Sequence, residues 1–150
     1  MFPTRRHDRE PTRRAARFAA LLLAAAPAFG QGCLPDSDTA CLLGGRFGVE
    51  VQWQTAELAG AAQLMSFGGA RAESDQSAFF WFFDNSNFDM GVKMVDACSF
   101  NDSFWVFVSG LTNQAFTVTI RDGVTLAERS YSNPLGTYPQ TIGATDGTSG

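Results

Sequence analysis

The residue types in this chain that could do chemistry are carboxylates, thiols, a single lysine and a run of aromatic rings. Asp84, Asn87 and Asp89 place several oxygen ligands in one short stretch, the donor type a calcium ion takes. The spacing is not that of an EF-hand, because Phe88 stands where a ligand is needed and no glycine follows at the bend. A hydrogen-bonded turn is the plainer reading. Asp84 with Asp89, or Asp96 with Asp102, has the composition of a glycosidase acid and its partner, yet a chain with 15 acidic residues contains such pairs by chance. Lys93, the only lysine, lies on the odd face of a strand otherwise filled by Gly91, Val95 and Ala97. There it neutralises Glu50 or Asp96, faces a ligand or, as the last alternative, is a buried Schiff-base lysine. Trp81, Phe83, Trp105 and Phe107 share odd parity on two strands. They form either a flat platform for sugar rings or a partner's side chains, or the core of an aromatic-rich sandwich. With Lys93 and Asn101, the residues Trp81, Phe83 and Trp105 are the candidate ligand contacts.

The inventory also excludes. The only histidine, His7, falls in the first thirty residues. Beyond them there is no Ser-His-Asp or Cys-His nucleophile system, no histidine acid/base chemistry and no His-ligated zinc or iron. Six of the 11 basic residues and two of the 15 acidic ones also lie in that stretch, which leaves a net charge near −8. Binding a phosphate backbone needs lysine and arginine in quantity, so nucleic acid is not an expected partner. No cofactor is expected.

Residues 1–30 read as a secretory signal: an arginine-rich start, an apolar run from about Phe18 to Ala26, then small residues that admit cleavage after Ala28 or Gly30. The apolar run is too short to anchor in a bilayer. Arg13-Arg14 as a twin-arginine signal and Cys33 as a lipidated cysteine are the weaker alternatives. Soluble export to an extracellular or periplasmic compartment follows, where disulfides persist. Strand parity puts Cys41 on the face of Phe47, Val49 and Val51, and Cys98 on the face of Met90, Val92 and Met94. A Cys41–Cys98 bridge is therefore expected, closing about 57 residues at a gain of about 4 kcal/mol. Cys33 is then free, lipidated or paired outside the chain.

The elements that must position these residues have period two. Strands are expected at about 41–54, 62–67, 79–83, 88–98, 104–108, 116–121 and 125–132, with Arg46, Glu50 and Gln52 opposite the apolar face of the first. Residues 79–83, 88–98 and 104–108 are apolar on both parities, as central strands are. Asp122-Gly123 signals a hairpin and Asn133-Pro134-Leu135-Gly136 a type I turn. Behind a polar lead-in at 31–40, residues 41–138 are thus expected to form an all-β, immunoglobulin-like antiparallel sandwich of about seven strands. A small β-barrel is the alternative, and residues 139–150 are expected to fray.

In chain order, Cys41-Leu42, Gly45-Arg46-Phe47, Val49, Trp53, Phe80-Trp81-Phe82-Phe83, Asn87, Val92-Lys93, Asp96, Cys98, Asn101, Trp105-Val106-Phe107, Thr112 and Tyr131-Ser132-Asn133-Pro134 stand in a pattern. Over about residues 33–138 it resembles a recurring module of secreted bacterial proteins, found alone after a signal peptide or at the end of larger exported chains. The resemblance implies an extracellular β-module with no established enzyme activity. This chain has Ala97 where the module usually has glycine, and ends Thr148-Ser149-Gly150 where the module often has a cysteine able to pair with Cys33. The expected function is non-catalytic binding or display toward an unknown extracellular protein or glycan. A carbohydrate-binding module resting on a coplanar Trp81 and Trp105 is the first alternative, and a carboxylate-only hydrolase the second.

Overall fold

The computed structural model describes residues 32–149, so the leader lies outside the described residues. The chain forms β1 (Thr39–Leu42), β2 (Phe47–Gln54), β3 (Ala59–Ala61), β4 (Gln63–Leu64), β5 (Ser66–Phe67), β6 (Ala70–Arg71), β7 (Glu73–Ser74), β8 (Ser77–Trp81) and β9 (Met90–Asp96). One helical turn, α1 (Cys98–Asn101), leads into β10 (Ser103–Gly110), β11 (Ala115–Asp122), β12 (Glu128–Asn133) and β13 (Ile142–Ser149). The first sheet runs β1-β2-β11-β12 with β3 beside β2. The second runs β13-β10-β9-β8-β4 with β7 beside β8, and β5-β6 is a separate ribbon. Both sheets are open, so the fold is a two-layer antiparallel sandwich and not the barrel alternative.

Alternation builds the core. Phe47, Val49 and Val51 of β2 and Phe116, Val118 and Ile120 of β11 point inward from the first sheet. They meet Phe80, Met90, Val92, Met94, Phe104, Val106 and Val108 from the second. Phe47 and Phe104 cross the layers edge to face with centroids 4.7 Å apart, a geometry that adds to the area they bury. As the two-sided apolar pattern predicts, β8, β9 and β10 are adjacent in the second sheet.

Three expectations are corrected. The stretch 41–54 is a hairpin, not one strand, because Leu43, Gly44 and Gly45 all turn with positive φ (52°, 67° and 77°). Glycine takes that conformation without steric cost, and Leu43 does so because the turn demands it. Ala40 and Leu42 therefore face the core, and Cys41 points out beside Gly48, its register partner. The bridge is accordingly Cys33–Cys41, with Cα atoms 5.6 Å apart, and Cys98 is the free thiol. Glycine at position 48 leaves the bridge its room, since a Cβ there would press on Cys33 Sγ at 3.3 Å. The bridge and a Cys33 N–H to Gly45 carbonyl bond of 2.9 Å pin the lead-in segment to the hairpin. Finally, the tail does not fray at 142–149: it pairs with β10 as β13.

Arg46, expected among outward polar residues, lies across the end of the sandwich. Its guanidinium donates to both oxygens of Asp122, at 3.0 and 2.7 Å, and sits 4.5 Å from the Phe104 ring centroid. Asp122 also accepts from the Val124 N–H and the Thr125 hydroxyl, and its residue is 2 % exposed. Burial pushes this carboxyl up, but the Arg46 fork and the turn's own hydrogen bonds outweigh burial and hold it at about 2.

Candidate functional site

The two outer faces of the sandwich differ in kind. On the first sheet, register places Gln52, Thr117 and Ser132 in one row and Glu50, Thr119 and Ser130 in the next. Arg121 there pairs with Glu128 at 2.7 Å and Glu50 at 3.7 Å. This is a solvated polar surface, dished into a shallow groove of about 590 Å³ between Trp53 and Pro134.

The second sheet turns aromatic rings outward. Phe79 and Trp81 on β8 and Trp105 and Phe107 on β10 occupy the parity opposite the core residues Phe80, Phe104 and Val106. They are neither core nor fully open. Outward glycines in the adjoining strands explain this: the Phe79 ring lies 3.3 Å from where a Gly91 Cβ would be, and Phe107 lies 3.6 Å from that of Gly143. Phe79 and Phe107 thus each bury one side on neighbouring backbone and offer the other, the usual way an aromatic side chain makes good a glycine across a sheet. Phe88 folds over from its loop to meet Phe79 at 5.1 Å, edge to face.

Trp105 is the best-held ring. Its indole N–H donates to Asn101 Oδ1 at 3.1 Å, and Asn101 Nδ2 in turn donates to the Thr145 carbonyl on β13 at 2.9 Å. Phe100, 79 % exposed, stands perpendicular to the indole at 5.5 Å. Lys93 is the cross-strand partner of both Phe107 and Ser77. It does not neutralise Glu50, which is on the other sheet with Arg121, nor Asp96, whose carboxylate accepts the Cys98 N–H.

Of the candidate residues, then, Trp105 and Asn101 are hydrogen-bonded, Lys93 lies diagonal to Trp105 in the register of β9 and β10, and Trp81 and Phe83 stand apart from them. Phe80 pairs with Met90 and Trp105 with Val95, so the indoles of Trp81 and Trp105 flank opposite ends of β9, roughly 20 Å apart along the strand. They are not a coplanar pair. Phe83 lies past the end of β8 and packs instead on Trp53 at 4.8 Å, at the rim between the sheets. Sequence reasoning missed Phe79, Phe88 and Phe100; the outward Gly91 is the signal for Phe79 and Phe88, and no comparable signal marks Phe100.

The carboxylates are engaged locally. Asp84 accepts the Ser86 N–H at 2.7 Å, and hydrogen bonds from Ser86 hold it below the usual range. The Cys98 backbone does the same for Asp96. Asp89 is 4 % exposed and accepts the Phe82 N–H at 2.7 Å; burial pushes it up against that bond. Asp84 and Asp89 therefore serve turn and interior separately, and no cluster of three or more His, Cys, Asp or Glu residues suited to a metal forms among the described residues. The Cys98 thiol is raised chiefly by its hydrogen bond to Asp96, then by burial, which disfavours the nucleophilic thiolate.

Asp89→Asn keeps an acceptor for the Phe82 amide and removes the cost of burying a charge. It is expected to leave the protein as stable as before or up to about 1 kcal/mol more stable at pH 7, whereas Asp89→Ala orphans that amide and costs about 1–3 kcal/mol. Thermal midpoints of the two variants check this; the reverse order would contradict it.

The fold and this surface define a class: a disulfide-pinned antiparallel β-sandwich with one polar and one aromatic outer face. No protein-family model matches the chain, and no curated protein or solved structure does.

Proposed function

We propose that this is an exported, non-catalytic binding module that engages an extracellular partner through the aromatic outer face of its second sheet, as a member of the secreted module it resembles. The observation that carries the reading is the contrast between the faces: one sheet spends its outward positions on Gln, Thr, Ser and ion pairs, the other on Phe79, Trp81, Trp105 and Phe107. Part-exposed rigid rings supply contact area at little cost in ordering. The leader and the persistence of a disulfide support an oxidising compartment. Among the described residues, no helix is long and apolar enough to cross a membrane.

Arrays of extracellular glycans and of envelope and secreted proteins test the reading. Trp105→Ala and Phe79→Ser are expected to remove whatever binding the native chain shows, with the circular dichroism spectrum kept, while Gln52→Ala and Thr119→Ala leave it intact. Loss confined to the polar-face variants would overturn it. The part-exposed rings beside a cation favour a glycan over a protein among these partners.

A further inference from the structure

We infer that the ligand of this face is an acidic polysaccharide, its sugar rings stacked on Phe107 and Trp105 and a ring carboxylate held by Lys93. This rests on the aromatic face being the binding surface, and it names what that surface takes.

Lys93 and Phe107 are directly opposed on β9 and β10, and Trp105 lies one step along the same face, opposite Val95. Opposed Cβ atoms stand about 5 Å apart and diagonal ones about 7 Å, so one pyranose covers the distance between ring and ammonium stem. A sugar that lays its C–H face on Phe107 brings a ring carboxylate within reach of the lysine, and the next sugar along the strand meets Trp105. The Asn101 bond keeps that indole fixed, and Phe100 forms a wall beside it.

Charge points the same way. The chain is acidic overall, yet the outward positions 77–81, 91–95 and 105–109 carry no carboxylate and one cation. Asp89, just before β9, is buried and turned to the Phe82 amide. Arg46, Arg71 and Arg121 are each held in ion pairs, and Arg129 lies on β12 at the edge of the other sheet. Lys93 is exposed and forms no ion pair among the described residues, so its charge is available where the rings are. A carboxylate set against it gains a charge-assisted contact, and a neutral sugar gains only the stacking.

Calorimetry and affinity electrophoresis of the mature protein test this with three probes: oligogalacturonate, the same oligomer with its carboxyls reduced to alcohols, and polyglutamate. Oligogalacturonate is expected to bind on the order of tenfold more tightly than the reduced oligomer, and polyglutamate not to bind. Lys93→Met should bring the acidic oligomer down to the affinity of the neutral one, and Trp105→Ala should weaken both. Equal binding of the acidic and neutral oligomers, or no effect of Lys93→Met, overturns the acidic ligand and leaves the aromatic face standing. Binding of neither oligomer overturns the ligand class alone, because the array experiment judges the face. Binding untouched by Trp105→Ala and by Phe107→Ala sinks both.

Discussion

Replacing Asp122 with alanine is expected to lower the unfolding free energy by about 2–3 kcal/mol, the cost of stripping the charged acceptor from a part-buried pair and its hydrogen bonds. The change leaves the Arg46 guanidinium without its carboxylate beside the Phe104 ring, and deprives the Val124 N–H and Thr125 hydroxyl of their acceptor. It also cuts a tie between the β1–β2 and β11–β12 turns, which keep the Gly123 N–H to Arg46 carbonyl bond of 2.8 Å. Urea unfolding followed by circular dichroism measures this, and a loss under about 1 kcal/mol would show the pair to be ornamental. Asp122→Ala combined with Arg46→Met should be less damaging than Asp122→Ala alone, because no charge is left unpaired. The same carboxyl sets an acid limit. Its folded-state value of about 2 lies below the ordinary 3.8, so the unfolded chain takes up the proton first. The stabilisation, about 2 kcal/mol, is full above roughly pH 4 and is lost as pH falls toward 2. Asp122→Asn should flatten that part of the stability profile.

Serine at both Cys33 and Cys41 is expected to cost about 2–3 kcal/mol, the chain-entropy value for a short loop. Cys98→Ser, which touches no bridge, should cost under about 1 kcal/mol. Alkylation of the unfolded, unreduced protein should modify one thiol per chain, and peptide mapping should find it at Cys98. A modified Cys33 would restore the Cys41–Cys98 pairing and contradict the architecture at the β1–β2 hairpin. The thiol count by itself does not separate the two pairings, since each leaves one sulfur free; only its position does.

That error shows where strand parity stops. Within an uninterrupted strand the alternation was reliable: Phe47, Val49 and Val51 point in together, as do Met90, Val92 and Met94. Across Leu43, Gly44 and Gly45 it was not, because three left-handed residues reverse the chain and reset which side is inward. Cys41 lies on the far side of that turn. Position 83 failed for a related reason: β8 ends at Trp81, and beyond it the backbone bends into the Asp84 turn, carrying Phe83 round to Trp53.

Sequence alone determined the all-β class, the adjacency of the three apolar central strands, the absence of histidine chemistry beyond position 30, and the candidates Lys93, Asn101 and Trp105. These follow from composition and from the two-residue period, both local properties. Tertiary structure alone decided which sulfurs meet, that Arg46 closes the end of the sandwich on Asp122, and which aromatic rings offer a face to solvent. Pairings of that kind depend on groups brought together from distant parts of the chain, and the exposure of Phe79 and Phe107 depends on the glycine that the neighbouring strand presents for each to lie across.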